Sequence, residues 1–331
     1  MEENKSEKIK LPQLDYRIPK WNFDKLKERV CPICNFNDSS TRHIRPDLLT
    51  VKFCNICNTF FISPAPSQQQ LSLFYVNYDE NHRRDPHIAT KKLVNSYKHI
   101  NPLADFRIQK LSNYISFKNS KILDVGFGRA KLLYSLLKLG AITFGIELDE
   151  KAIEYAKALG IQKVNKCNIE DLNNDTRFNL IIFDDLIEHP LHPMSLIKKA
   201  SDILEDKGLL MIWTPNGKTS INEIYPTTFR VDLEHMQYLT PESCEFIANE
   251  VNLKIIHLET LGFPHLKGLE KPLKTNHNFK INLKKTIKLI PGAIGLYKLL
   301  KKFRQQTPSI IVDEENKGDY HLFCIMQKSV R

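Results

Sequence analysis

Short apolar runs alternate with glycines and helical spacing across the middle of the chain. Ile122 to Val125 is a short, mainly apolar run that reads as a buried parallel strand. It leads into Gly126-Phe127-Gly128, where the missing Cβ atoms let a ligand approach the backbone. Lys131 to Leu139 carries apolar residues at helical spacing, and Gly140 closes that helix. Ile142 to Ile146 predicts a second strand, stopping at Glu147. Lys151 to Leu159 is an amphipathic helix ended by Gly160, and residues 161–165 follow as a third strand. Phe178 to Phe183 is a continuous apolar run, the fourth strand. Leu196 to Leu204 reads as a helix, with Gly208 starting the turn into a fifth strand, Leu209 to Trp213. Thr240 caps a helix that Pro241 opens and that ends near Asn252. Lys254 to Thr260 and Tyr320 to Lys328 complete the strands, and the alternation predicts a doubly wound α/β sheet.

The strand, glycine turn, helix, strand and acid of residues 119–149 form a unit that binds the ribose end of a nucleoside-bearing cofactor. A dinucleotide fingerprint wants a third glycine where Lys131 stands, which weighs against a nicotinamide dehydrogenase. The pattern Asp124-x-Gly126-x-Gly128-x-Ala130 resembles motif I of the class I S-adenosylmethionine (SAM) methyltransferases, with Ala130 where many members have glycine. The resemblance implies that Asp124, Gly126 and Gly128 make room for a methionine tail and an adenosine. Glu147, 19 residues past Gly128, is placed to accept both ribose hydroxyls.

Seven cysteines fall into two groups. Cys31-x-x-Cys34 and Cys54-x-x-Cys57 are separated by 19 residues, a spacing suited to a four-thiolate zinc site. With all four positions filled by protein, the ion is expected to be structural, and its binding would fold so small a ribbon. Cys167, Cys244 and Cys324 read as buried, inert thiols. His43, in the loop between the knuckles, reads as a surface residue.

After the knuckles come Pro64-x-Pro66-Ser67 and Leu71-x-x-Phe74-Tyr75-x-x-Tyr78. The combination resembles bacterial SAM methyltransferases that join an N-terminal zinc ribbon to a tyrosine-rich connector, many of which act on sugars, surface glycans or secondary metabolites. Tyr75 and Tyr78 either line the substrate mouth or pack the connector onto the catalytic body. By the same resemblance, Asn168 stands where an acid commonly meets the adenine amino group, and Ile169 would lie against the adenine ring. Asp184-Asp185-Leu186-Ile187-Glu188-His189-Pro190 and Glu234-His235-Met236-Gln237-Tyr238 also look like family segments. The first borders the methyl-transfer site, with Asp185 on the cofactor side, and the second flanks the acceptor pocket. His189 and His235 are candidate general bases for a hydroxyl acceptor, since imidazole takes a proton near pH 7; each could equally be structural.

The 331 residues suffice for a full core, and 42% apolar with 26% charged residues is a globular composition. The Lys/Glu-rich start shows no secretory h-region and no run suits a membrane span, so the expected compartment is the cytoplasm. The formal charge of +10 does not choose among nucleic acid, a membrane surface and an anionic substrate. Much of the lysine excess lies in 263–318, an expected helical insertion too long for a hairpin. Its basic stretch 267–304 reads as an acceptor lid, a peripheral membrane contact or a solvated elaboration.

The expected organisation is a lead-in at 1–28, a zinc ribbon at 29–66, a helical connector at 67–116 and a methyltransferase domain at 117–331. The expected fold is a Rossmann-like, doubly wound seven-stranded sheet, its last strand antiparallel by resemblance. The expected activity is SAM-dependent O-methylation of a small hydroxylated acceptor, a sugar, nucleotide-sugar or surface glycan. Alternatives are an RNA methyltransferase, which the few basic residues of 31–57 disfavour, and a non-catalytic SAM- or zinc-binding protein.

Overall fold

The computed structural model describes residues 13–15, 17–75, 89–218, 227–262 and 319–329. Chain contacts define two compact units, Met1–Leu261 with Asp319–Arg331, and Gly262–Gly318. The first unit holds both sheets and the described helices. Tyr78, the basic segment 267–304 and the expected helical insertion 263–318 lie outside the described residues.

The larger sheet has seven strands. In chain order they are β4 (Lys121–Val125), β5 (Ile142–Ile146), β6 (Lys163–Asn165), β7 (Phe178–Asp184), β8 (Leu204–Pro215), β10 (Leu253–Leu261) and β11 (His321–Lys328). Their order across the sheet is β10-β11-β8-β7-β4-β5-β6. β4, β5, β6, β7 and β8 run parallel, while β11 pairs antiparallel with both β8 and β10. This is the Rossmann-like sheet expected, with its antiparallel last strand. Alternate residues face opposite layers. Leu123, Val125, Ile181 and Phe183 join one core with Ile197 and Ile247 from helices α6 (Pro193–Ile203) and α7 (Pro241–Glu250). Ile122, Leu180 and Ile182 join the other with Ile108 and Leu111 of α3 (Phe106–Leu111) and Leu132 and Leu136 of α4 (Lys131–Lys138). Helices α2 (Thr90–Tyr97) and α5 (Glu150–Ala158) add Leu93 and Tyr155 to a further cluster around Phe127.

Two boundaries differ from the sequence reading by three residues or more. α6 begins at Pro193, which fits a first helical turn where its missing N–H costs nothing. β8 begins at Leu204, so Gly208 lies inside a strand. The register jumps between Phe178↔Leu204 and Leu180↔Leu209, and a Cβ at Gly208 would sit 2.8 Å from the Glu205 carbonyl oxygen. Glycine here serves a bulge instead of a turn.

The second sheet is built from β1 (Ser39–Ile44), β2 (Thr50–Cys54) and β3 (Phe60–Ile62). It takes a fourth strand, β9 (Gln237–Tyr238), from the other end of the chain. Helix α1 (Gln68–Tyr75) follows, and Leu71 buries itself with Trp21, Val51, Ile62, Phe229 and Tyr238. Trp21 is docked, its indole N–H donating to Asp47 at 2.8 Å, whereas Phe23 is exposed. His43 is half-buried beside Phe229 and not the surface residue expected. Cys244 and Cys324 are fully buried, and Cys167 is half-exposed. No helix among the described residues is long and apolar enough to cross a membrane.

Candidate active site

The carboxyl ends of β4, β5, β7 and β8 meet at one edge of the parallel sheet, where a doubly wound fold opens its ligand crevice. At the end of β4 the backbone turns through left-handed conformations at Gly126 (φ 73°), Gly128 (φ 51°) and Ala130 (φ 56°). The first two are free for glycine, but Ala130 carries strain of about 1 kcal/mol or more. Gly126 N–H donates to the Ile146 carbonyl at 2.8 Å, tying the turn to β5. Gly128 N–H donates to Glu147 Oε2 at 2.9 Å, and Leu148 N–H to Glu147 Oε1 at 2.7 Å. The turn and the acid are therefore one hydrogen-bonded structure, with Glu147 only half-buried at its rim.

Asp124 is 2% exposed, and its Oδ1 has no hydrogen-bond partner within the protein. Burial, reinforced by the Asp184 charge, pushes its carboxyl well above the usual range. Asp184, at the tip of β7, pairs with Arg107, which also grips Asp105 and lies over the Trp213 ring. Asp185 follows in a left-handed conformation (φ 48°), its N–H held by the Trp213 carbonyl. It is open to solvent, yet the protein bulk around it and the Asp184 charge push its carboxyl up to about 7. Acids thus outnumber cations at this edge, and a buried carboxylate oxygen stands without a partner. That charge balance and the side-chain-free turn fit a cationic, nucleoside-bearing ligand such as SAM.

Asn168 is exposed, its backbone N–H capped by Asp171. Ile169 is 1% exposed and packed in the core with Val125 and Ile146, so it backs the crevice wall and offers no open face to an adenine. The apolar surface that is open here belongs to Leu148, 58% exposed next to Glu147, which sequence reading missed because one leucine at a strand end carries no periodic signal. Arg107 was missed too; nothing in its neighbourhood in sequence points to Asp184.

The turn after β7 and the loop before β9 bring two imidazoles together. The rings of His189 and His235 are 4.8 Å apart and edge-on. Tyr75 Oη is 2.7 Å from His189 Nδ1, which brings α1 to the site. His235 is 5% exposed, and its Nε2 lies 3.9 Å from Oε1 of the fully buried Glu188. Thr214 Oγ1 donates to the other Glu188 oxygen at 2.9 Å. Burial holds His189 below its ordinary pKa and His235 well below it, so both are neutral bases near pH 7. A shallow depression of about 330 Å³ between Tyr114, Asn179 and Lys207 lies at the opposite, amino ends of the strands and touches none of these groups.

The four knuckle cysteines converge separately. Cys31 and Cys57 sulfurs are 3.4 Å apart, as are those of Cys34 and Cys54, and all four lie within 4.8 Å of one another. A tetrahedral ion at about 2.3 Å from each sulfur sets them about 3.8 Å apart, so the cluster fits zinc. Among the described residues, these are the cysteines that could hold a metal.

Residues 97–258 match a family described as a methyltransferase domain. A ubiquinone biosynthesis O-methyltransferase of Coxiella burnetii is 28% identical, across 51% of this chain and 77% of its own. One from Pelagibacter ubique is 33% identical across 35% of this chain and 50% of its own. Among solved structures, a SAM-dependent methyltransferase from Archaeoglobus fulgidus covers 71% of this chain and 97% of its own, with 18% identity and a TM-score of 0.46. A 1,6-didemethyltoxoflavin-N1-methyltransferase of Burkholderia thailandensis covers 88% and 100%, with 11% identity and a TM-score of 0.47. The chain carries a methyltransferase domain and is an enzyme. Its glycine turn, acid and seven-stranded sheet agree with the resemblance to SAM-dependent methyltransferases seen in the sequence.

Proposed function

We propose that the enzyme moves the SAM methyl group to a hydroxyl oxygen of a sugar, nucleotide-sugar or surface glycan. The observation that carries this is the pair of neutral imidazoles, His189 and His235, with their rings 4.8 Å apart just after the acids of β7. A neutral hydroxyl must lose its proton as it attacks, and a base near pH 7 serves that need. The S–CH3 bond breaks with its electron pair left on sulfur, the O–CH3 bond forms, and the hydroxyl proton passes to an imidazole. His189, half-exposed and oriented by Tyr75, faces the acceptor side; His235 stands behind it. Asp124, the glycine turn and Glu147 hold the cofactor, and positioning alone supplies several kcal/mol, with about 7–11 as an upper range.

The relatives' names favour a second reading, a hydroxyl of a ubiquinone precursor. Zinc at Cys31, Cys34, Cys54 and Cys57 is proposed as structural, and the basic segment 267–304 as a peripheral membrane contact for a lipid-linked acceptor. Labelled SAM offered with nucleotide-sugars, glycans, phenolic ring acceptors and RNA tests the reading. Label in an O-methyl sugar supports it; label in a phenol selects the second reading, and label in RNA or at nitrogen overturns both.

A further inference from the structure

The loop carrying His235 belongs, by its hydrogen bonds, to the cysteine-bearing sheet. β9 pairs with β3 in the register Phe60↔Tyr238 and Phe61↔Gln237, and Ile62 N–H donates to the Met236 carbonyl at 2.9 Å. Beside the knuckle, Thr59 Oγ1 and Ser243 Oγ are 2.8 Å apart, and Thr240 Oγ1 donates to the Asn58 carbonyl at 3.1 Å. Three arginines that precede the matched domain then clamp the loop. Arg17 pairs with Asp232 at 2.7 Å, and Arg29 donates to the carbonyls of Ile62, Leu191 and Met236. Arg45 is fully buried, an unusual place for an arginine. It donates to the His235 carbonyl at 2.6 Å, to Tyr238 Oη at 2.9 Å and to the Leu233 carbonyl, and Asp47 balances its charge. Asp47 in turn accepts from Trp21.

We propose that this sheet is a working wall of the acceptor site and that Arg45 is the positioning residue that fixes His235 within it. The proposal rests on imidazole-assisted transfer as the enzyme's chemistry. Arg45 acts twice. Its planar fork fixes the backbone on both sides of Glu234, and its charge bears on the imidazole of His235. The other charged and titratable groups facing that ring are His189 and Glu188 from the turn after β7, Arg17 from the lead-in and Tyr238 of β9. Arg45 adds a positive charge that opposes protonation, so its removal raises the His235 pKa.

The test uses the full chain in two forms. Arg45→Gln with Asp47→Asn removes both charges of the pair and keeps hydrogen-bonding side chains of similar shape. Arg45→Lys keeps the charge and loses the fork. Expected for both is S-adenosylhomocysteine (SAH) affinity within about twofold of the parent by calorimetry. Turnover falls about 10–100-fold, the scale of a misplaced catalytic group. NMR of the His235 ring is expected to show a raised pKa in the double variant and an unchanged one in Arg45→Lys. The ring titration needs no acceptor, so it stands if the sugar reading fails. The proposal is overturned if SAH affinity falls in step with turnover, since that marks general loosening. It is overturned equally if the His235 pKa is the same in the double variant and the parent. If the double variant does not fold, full turnover in Arg45→Lys overturns it.

Discussion

Gly145 lies in β5, directly under the cofactor turn, and its replacement by alanine isolates how tightly that turn is packed. A Cβ there would fall 2.6 and 2.7 Å from Phe127 Cδ1 and Cε1 and 2.9 Å from Leu133 Cδ2. Those distances are too short for carbon contacts, so the Phe127 ring must shift. The ring is 7% exposed and enclosed by Ala130, Leu133 and Tyr155, which leaves it little room. Overpacking of this kind costs about 1–3 kcal/mol. Alanine regains about 0.5–1 kcal/mol over glycine within a strand. The net loss is up to about 2.5 kcal/mol, and each kcal/mol lowers the melting temperature by about 2–4 °C in a domain of 150–250 residues. Phe127 sits between Gly126 and Gly128, so its displacement also moves the N–H that Glu147 holds, and SAH affinity falls with stability. Gly160→Ala is the control. Its Cβ meets nothing within 4 Å but its φ is 89°, so it strains the chain by about 1–2 kcal/mol far from the turn. Differential scanning calorimetry and SAH titration on both variants separate the effects. Gly145→Ala with parental SAH affinity would refute the reasoning, however far its melting temperature fell.

Glu147→Gln removes the charge that accepts from Gly128 and Leu148; bonds to charged groups contribute about 1.5–3 kcal/mol, so SAH binding weakens roughly 10–100-fold by titration, and a loss under twofold contradicts the assigned role. Asp185→Asn tests the raised carboxyl. Its folded pKa of about 7 exceeds the unfolded value, so the acid's contribution is fully present at low pH and is lost as pH rises through about 7. The variant is therefore expected to melt above the parent at pH 8 and level with it near pH 4; a parallel offset at both pH values denies the shift. Cys31→Ser should release zinc measured by mass spectrometry and loosen residues 30–60 in hydrogen exchange, and unchanged metal content removes the proposed ion.

What the sequence made legible was local. The Gly126–Gly128 turn, Glu147 and the paired cysteines each declare themselves within a few residues, because a tight turn or a two-sulfur knuckle needs particular residues at fixed offsets. The site's remaining parts depend on partners far along the chain. β9 is two residues long and pairs with a strand about 180 positions earlier, so no periodicity announces it. Nothing around Arg45 in the sequence points to its burial, yet the Leu233 and His235 carbonyls and the Tyr238 hydroxyl enclose it. Ile169 reads as a ligand contact from its position after Asn168, but its apolar side chain is used up by the core. Gly208 reads as a turn because a strand bulge and a turn call for the same residue.

The two halves of the crevice are thus made by different means. The cofactor side comes from consecutive strand–turn–helix units, which hold their geometry through short-range hydrogen bonds and lie within the matched residues 97–258. The proposed acceptor side is drawn from α1, the turn after β7, the 227–240 loop and the cysteine-bearing sheet, joined by pairings that span most of the chain. A change in the lead-in or the sheet can therefore reshape acceptor recognition while leaving the glycine turn intact. The two sides meet at Gly126, where an added Cβ would come within 3.0 Å of the Leu186 side chain, so any larger residue there would crowd the segment leading to His189.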